Sequence, residues 1–249
     1  MDNDKENGLL LLDMPTGFGK TYSVIKYIAE FIKENSDTGK KIFFITTLKK
    51  NLPVEELKKR LDDMELLHLF EERVIELKSN VDTVVANYNS SMYNDIPLEI
   101  RNSEEFKNFK ADVEFLKKHT GQNSDLVRSV RNNFSNNERI FRAYLQNTFA
   151  RNFPSIKERL LAIKTDSAWQ WVGKLYPSVF TSEKQVIFMS MDKFICQHST
   201  IVEKSYYFYN SKISNGALVF IDEFDATKGT ILKNIIENGL KEKIDYIEL

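Results

Sequence analysis

The chain of 249 residues is long enough to form one large domain or two small ones, and either would bury a substantial core. Its 35 lysines and arginines nearly balance its 36 aspartates and glutamates, so a polyanion could be met only by local basic patches and not by a global field. Cys196 is the single cysteine, which excludes an internal disulfide and any iron–sulfur cluster or four-thiolate zinc site built from this chain alone.

Membrane and metal sites are not expected. No apolar run approaches the ~20 residues that a membrane helix needs, and residues 1–7 lack the basic character of a signal peptide. A lone cysteine suits a reducing compartment, so we expect a cytoplasmic protein with no membrane partner and with Cys196 in an apolar stretch. The widely separated His68, His119 and His198 are expected to be solvated or half-buried structural residues and not metal ligands.

Residues 9–21, LLLLDMPTGFGKT, have the pattern of a buried strand that runs into a glycine loop. The apolar positions that follow recur every three or four residues, which predicts an amphipathic helix over residues 20–33. A loop in this setting binds phosphates, because successive backbone N–H groups form a nest around them and the positive end of the helix points at them.

The residue types of this loop suit a nucleoside triphosphate with Mg²⁺. Gly17 and Gly19 permit positive φ and close approach, Lys20 can reach the β- and γ-phosphates, and the Thr21 hydroxyl can ligate Mg²⁺. The strict phosphate-loop pattern has glycine at the position of Met14, and the alternative is an ordinary corner between a strand and a helix. The expected nucleotide-binding residues are Pro15, Thr16, Gly17, Phe18, Gly19, Lys20 and Thr21.

Residues 41–46, KIFFIT, form a short, continuously apolar run that predicts a central strand covered on both faces. Strand, helix and strand in this order make a βαβ unit, and therefore a parallel sheet with a right-handed crossover. Ligands bind at the carboxyl ends of such strands, so residues 46–51 should lie near the ligand of the glycine loop. A helix at residues 53–64 and a strand at residues 73–78 follow.

The middle of the chain has a different character, because residues 94–181 lack strand-like runs and are charged, rich in asparagine and helical in pattern. We interpret residues 94–181 as a helical insertion subdomain of a nucleotide-binding domain formed by residues 1–93 and 182–249. Pro154 separates the last two helical stripes, and four asparagines weaken helical continuity before it. These are Asn132, Asn133, Asn136 and Asn137.

The insertion carries arginines interleaved with aromatic residues. A basic face with aromatic rings suits single-stranded nucleic acid, through phosphate contact and base stacking. The alternative, which we favour, is a solvated arginine face over an aromatic core. The residues are Arg128, Arg131, Arg139, Arg142 and Arg151, with Phe134, Phe141, Tyr144 and Phe149 between them. Trp169 and Trp171 are expected to be core residues or an interdomain wedge.

Strand-like runs return at residues 185–189 and 217–221, and the second run ends directly in Asp222 and Glu223. A phosphate-loop NTPase needs an aliphatic strand followed by Asp-Glu opposite its loop. The aspartate holds Mg²⁺, usually through water, and the glutamate orients or deprotonates the attacking water. An acidic pair after a strand is by itself most often a solvated strand end. A last helix is predicted at residues 230–238.

Together these motifs resemble the first RecA-like domain of the superfamily 2 helicases, the DEAD/DEAH-box group in the broad sense. The resemblance covers about residues 8–60 and 185–228. PTGFGKT is similar to motif I (Walker A), FITTLKKNL to motif Ia, FMSMDKFI to the motif Ic region and DEFD to motif II. Motif I of this family often lacks its first glycine, which fits Met14. The resemblance implies an α/β fold in which a RecA-like parallel sheet is flanked by helices and interrupted by the large helical insertion.

The resemblance also implies Mg²⁺-dependent ATP hydrolysis and binding of DNA or RNA, in single-stranded form. The catalytic residues would be Lys20, Asp222 and Glu223, and the metal ligands Thr21 and Asp222. Contacts with nucleic-acid phosphates would come from Thr46, Thr47 and Ser190, and Asp225 would couple the nucleotide to the domain interface.

Motifs III to VI and the second RecA-like domain are missing from the sequence, although in this family they supply the arginine finger. We therefore expect slow hydrolysis by this N-terminal motor domain alone and a second RecA-like domain as a partner in cis or in trans. The lone cysteine excludes the version of the insertion that holds an iron–sulfur cluster. The alternative function is a phosphate-loop ATPase or switch whose insertion docks a protein partner.

Overall fold

The computed structural model describes residues 18–34, 39–122, 124–222, 228–229 and 232. Within them, one four-stranded sheet has the order β2-β3-β1-β4, and every neighbouring pair is parallel, as predicted. Its strands are β1 (Ile42–Thr46), β2 (Val74–Leu77), β3 (Val186–Ser190) and β4 (Leu218–Ile221). Register pairs Thr46 with Ser190, Leu77 with Met189 and Ile45 with Ile221, so the carboxyl ends of all the strands meet at one edge.

Helices flank this sheet and fill the middle of the chain. The α-helices are α1 (Lys20–Glu34), α2 (Val54–Asp63), α3 (Leu67–Arg73), α4 (Asn80–Asn87), α5 (Leu98–Asn102), α6 (Glu104–Lys118), α7 (Asp125–Asn152), α8 (Ile156–Thr165), α9 (Gln170–Leu175) and α10 (Met191–Ile195). Short 3-10 helices lie at Lys49–Asn51, Ser90–Asn94, Pro177–Glu183, Phe208–Asn210 and Lys212–Ser214. The fold is α/β, with no strand between residues 78 and 185 among those described.

Strand β1 is central because both of its faces are apolar. Ile42 and Phe44 pack with α1 and α2 on one side of the sheet. Phe43 and Ile45 point to the other side, where Phe208 lies against Phe43 with ring centroids 5.8 Å apart. All five residues of β1 are buried, which confirms the prediction from its continuous apolar run.

Strand β4 is the outermost strand of the described sheet and lies beside β1. Its apolar side chains remain accessible, with Leu218 42 %, Val219 37 % and Ile221 37 % exposed. Among the described residues, no further strand pairs with the outer edge of β4. In the described part of the chain, β4 is therefore only half-covered, unlike β1 and β3.

A separate aromatic core holds the helical part together, and it includes residues from Val84 to Val202. At its centre the rings of Phe109 and Phe141 lie 4.6 Å apart, and Trp171 stacks 6.4 Å from Phe141. The buried aromatics of α7 belong to this core, as the favoured interpretation of the insertion predicts. Both tryptophans also belong to it, which is the first of the two roles left open for them.

Helix α7 runs without interruption through the asparagines that were expected to weaken it. The expectation was wrong because two of the amides have a partner on α6: Asn133 and Asn137 donate to the Asp112 carboxylate at 3.3 and 2.8 Å. Such bonds compete less with the helix than a bond to the local backbone would. The predicted break at Pro154 is confirmed, since α8 begins after it with a capping box between Ser155 and Glu158.

Replacing Gly173 in α9 by alanine should destabilise the protein, although Gly→Ala usually stabilises a helix. In an open helix, Gly→Ala stabilises by about 0.5–1 kcal/mol. Here a methyl group would lie 2.8 Å from Ile163 Cγ2 and 3.0 Å from the Phe180 ring. We therefore expect Gly173→Ala to lower the free energy of unfolding by about 1–3 kcal/mol in urea titrations. Lys174→Ala, at the exposed neighbouring position, is the control, and a Gly173→Ala protein as stable as the parent would contradict the packing described.

Two single residues differ from expectation. Cys196 is exposed, so the expected apolar setting is wrong; it directly follows the end of α10. His198 is 3 % exposed, and is therefore more deeply buried than the half-buried role predicted.

None of the described helices is both long and apolar enough to cross a membrane.

Candidate functional site

The predicted nucleotide site is described only in part. Outside the described residues lie Pro15, Thr16, Gly17, Glu223, Asp225 and the leucine segment at residues 9–12, and their roles stay predictions. The described members are Phe18, Gly19, Lys20, Thr21 and Asp222.

Gly19 marks the entry into α1. Its φ of 77° lies in the left-handed region, which favours glycine, and an added Cβ would meet no atom within 4 Å. The Ser23 N–H donates to the Gly19 carbonyl at 2.9 Å, so helical bonding starts at this residue. Earlier N–H groups of a first helical turn have no partner within the helix, and they give its start a partial positive charge. Lys20 is exposed beside them.

The direction of α1 follows from two contacts. Arg73, immediately before β2, donates from Nη1 to the Ile32 carbonyl at 2.6 Å, so the end of α1 lies at the amino edge of the sheet. Nearer its start, the Tyr27 ring lies 6.0 Å from the Phe220 ring of β4. Lys20 is about 10 Å further along the helix axis from Tyr27. Helix α1 therefore starts at the carboxyl edge of the sheet.

Asp222 lies at the same edge. Its N–H donates to the Ile45 carbonyl at 2.9 Å, which continues the ladder between β4 and β1. It stands two residues, about 7 Å, beyond Phe220 in the strand direction. The described geometry thus brings the first turn of α1 and the Asp222 carboxylate to one edge of a parallel sheet.

The three residues predicted to contact nucleic-acid phosphates also end strands at this edge. Thr46 and Ser190 are register partners, 0 % and 2 % exposed. The Thr46 hydroxyl donates to the Leu48 carbonyl at 2.8 Å, so it already has a partner. Thr47, half-buried at the start of the following turn, is the most accessible of the three. The structure brings these residues together; their contact with a phosphate stays a prediction.

A basic group at this edge was not predicted. Lys49 and Lys193 each stand three residues after a register partner, Thr46 or Ser190, and Arg142 of α7 lies close enough to affect Lys193. Burial, and then the positive charges of Arg142 and Lys49, lower the pKa of Lys193. The sequence does contain a signal for this group, because a lysine stands three residues after the last residue of each of two parallel strands.

Asp82 of α4 ties this edge to the helical part. Its carboxylate lies 3.5 Å from Lys49 Nζ and accepts a hydrogen bond from Arg131 of α7. Burial alone would raise the pKa of Asp82, but the Ser79 hydroxyl and Arg131 outweigh it and lower that pKa. The Asp82 carboxylate therefore pairs with Lys49, which follows β1, and with Arg131 of α7.

Exposed aromatic rings flank the start of α1. Phe18 is 70 % and Tyr22 65 % exposed, and the Arg60 guanidinium of α2 lies 5.2 Å from the centre of the Tyr22 ring. Rings of this kind offer a stacking surface for a nucleobase.

The described residues contain no group of three or more His, Cys, Asp or Glu side chains placed to hold a metal ion. Compared with protein-family models and with curated protein sequences, the chain matches none of them.

Proposed function

We propose that the chain is the ATP-binding and ATP-hydrolysing N-terminal motor domain of a superfamily 2 helicase or translocase. It would act on single-stranded DNA or RNA together with a second RecA-like domain. One observation carries the proposal: α1, which follows the glycine loop, and Asp222, which follows β4, reach the same edge of an all-parallel sheet. Ligands of open parallel sheets bind at that edge.

Each predicted site residue has a role in this proposal. The N–H groups at the start of α1 and the Lys20 ammonium hold the β- and γ-phosphates. Glu223 orients the attacking water and accepts its proton. Asp225 relays the state of the nucleotide to the second RecA-like domain. Without an arginine finger from that domain, hydrolysis is slow.

The residues near Asp222 fit Mg²⁺ through their oxygen chemistry. Carboxylate and hydroxyl oxygens are ligands that Mg²⁺ accepts, and it retains several waters. In the proposed site Thr21 and Asp222 hold it. When bound, Mg²⁺ neutralises charge that develops on the phosphates.

The proposed path of the nucleic acid crosses the same edge. Thr47 is the accessible one of the three predicted phosphate contacts, since Thr46 and Ser190 are buried at the ends of their strands. Lys193 and Lys49, which also pairs with Asp82, add positive charge that attracts phosphates. The sequence as a whole has a net charge of −1, so this local patch supplies the attraction.

The pairing of the α7 arginines favours the alternative function, a phosphate-loop ATPase or switch that acts on a protein partner. Arg128 lies 3.4 Å from Asp125, Arg142 lies 2.9 Å from Glu138, and Arg131 is bound to Asp82. Arginines paired in this way present a weaker basic face. In the alternative, the insertion docks a protein through exposed apolar positions such as Leu126 and Ile140.

The rate of ATP hydrolysis, measured with and without single-stranded DNA or RNA, distinguishes the nucleic-acid motor from the protein-directed ATPase. We expect slow phosphate release that rises when nucleic acid is added, together with direct binding of the labelled strand. Glu223→Gln should bind the strand but release no phosphate above background, because its amide accepts no proton.

Hydrolysis that is indifferent to both nucleic acids would favour the protein-directed ATPase. Equal low rates for the parent and Glu223→Gln would show that Glu223 performs no chemistry, and the chain would then be a nucleotide-binding scaffold.

A further inference from the structure

The Tyr22 ring is exposed at the start of α1, although a side chain from the neighbouring helix contacts it. Tyr22 is 65 % exposed, and the Arg60 guanidinium of α2 lies 5.2 Å from the centre of its ring. A hydrogen bond from Arg60, and then the charge of Arg60, lower the pKa of the Tyr22 phenol. Arg60 therefore orients the ring through its hydroxyl group, while the ring surface stays accessible to a ligand.

Tyr22 belongs to the helical turn that the proposed function assigns to the phosphates. The Ser23 N–H donates to the Gly19 carbonyl, so the N–H groups of Lys20, Thr21 and Tyr22 lie ahead of this first intrahelical bond. Tyr22 is two residues from Lys20, about 3 Å along the helix axis. Side chains of a helix are tilted toward its start, so the Tyr22 ring leans toward the end of α1 at which the phosphates are proposed to bind.

The charges around the ring favour a nucleotide over an uncharged aromatic ligand. Lys26 stands about one helical turn after Tyr22, and its charge also lowers the pKa of the phenol. Arg60 and Lys26 therefore place two cations near the ring, and Lys20 adds a third at the helix start. An aromatic face beside cations matches a base whose ribose carries phosphates, because bases stack on aromatic rings and phosphates are attracted to cations.

Tyr27 on the same helix shows how a tyrosine with a packing role differs. The Tyr27 ring lies 6.0 Å from the Phe220 ring of β4, in an edge contact. Within the part of the chain that the structure describes, no aromatic ring pairs with Tyr22 in this way. The Tyr22 ring therefore buries little apolar surface against the fold, and its contact with Arg60 preorganises it for a ligand.

We propose that the Tyr22 ring stacks on the base of the bound nucleoside triphosphate, with Arg60 as the positioning residue that holds the ring. The assignment rests on the proposed nucleotide-binding function and adds to it the group that recognises the nucleoside. Every base has a π face, so stacking accepts different bases. A purine covers more of the phenol ring than a pyrimidine does, because it has two fused rings. The site therefore favours purine over pyrimidine triphosphates.

Isothermal titration calorimetry with ATP, CTP and inorganic tripolyphosphate, each with Mg²⁺, separates the contribution of the base from that of the phosphates. We expect the parent to bind ATP about tenfold more tightly than tripolyphosphate, as one stacked base provides, with CTP between them. In Tyr22→Ala the affinity for ATP should fall about tenfold, whereas the affinity for tripolyphosphate should change by less than about twofold. Tyr22→Phe keeps the ring and should bind ATP within about threefold of the parent.

Tyr27→Ala is the matched control, because Tyr27 is a tyrosine of the same helix that is 47 % exposed and lies away from its start. Tyr27→Ala should bind all three ligands with the affinities of the parent. Because Tyr22 is exposed, Tyr22→Ala should fold as the parent does, which thermal unfolding of both proteins checks.

Equal affinity of the parent for ATP and tripolyphosphate, or an equal loss of affinity for both in Tyr22→Ala, would overturn the stacking role while the phosphate site stands. CTP bound as tightly as ATP would overturn the purine preference. Absence of binding of both ATP and tripolyphosphate to the parent would overturn the stacking role and the proposed function together.

Discussion

Replacing Lys20 by alanine should lower the rate of ATP hydrolysis by roughly 10²–10³-fold, the loss seen when one preorganised electrostatic contact to developing charge is removed. The ammonium group at the start of α1 is the proposed contact to the β- and γ-phosphates, and the helix N–H groups alone would remain. Phosphate release in the presence of single-stranded nucleic acid measures the effect. Binding of a labelled ATP analogue, measured in parallel, should weaken as well.

Lys26→Ala is the matched control, because Lys26 is an exposed lysine of the same helix that lies away from its start. Its hydrolysis rate should equal that of the parent. If Lys20→Ala retained the rate of the parent, the glycine loop would be an ordinary corner between a strand and a helix.

Phe141→Ala should lower the free energy of unfolding of the helical core by about 3–5 kcal/mol, the usual cost of a large-to-small change at a buried aromatic residue. Phe141 is fully buried, with the Phe109 ring 4.6 Å and the Phe106 ring 5.5 Å away. Urea titration followed by tryptophan fluorescence measures it, because Trp169 and Trp171, the two tryptophans of the chain, both lie in this core.

Ile140→Ala provides the comparison on the same helix, since Ile140 is 43 % exposed and one residue away. Ile140→Ala should lower the free energy of unfolding by less than about 1 kcal/mol. Equal losses for the two variants would mean that Phe141 does not occupy the centre of the helical core.

The strands were predictable because their signal is local. Residues 42–46 are continuously apolar, and such a run has no stable position except between two covered faces. The continuity of α7 was not predictable in this way. The amides of Asn133 and Asn137 are satisfied by Asp112 on another helix, and no property of α7 alone reveals that partner.

The same distinction applies to the candidate sites. The glycine loop and the acidic motif are contiguous in sequence, so their residues could be named in advance. Burial lowers the pKa of Lys193 and of His198, and the charge of Arg142, which folding brings near them from α7, adds to both shifts. A histidine with no spaced partner in the sequence indicated a structural residue, and only the packing shows that its ring nitrogen faces no partner among the described side chains.

The half-covered β4 strand has a practical consequence for handling the protein. Among the described residues no strand pairs with its outer N–H and C=O groups, and Leu218, Val219 and Ile221 beside them are accessible, so this edge accepts a further strand, either the one predicted at residues 9–12 or one from a second molecule. If the strand comes from a second molecule, concentrated preparations will aggregate edge to edge, and a lysine in place of Val219 should then act as a gatekeeper that keeps the protein in solution.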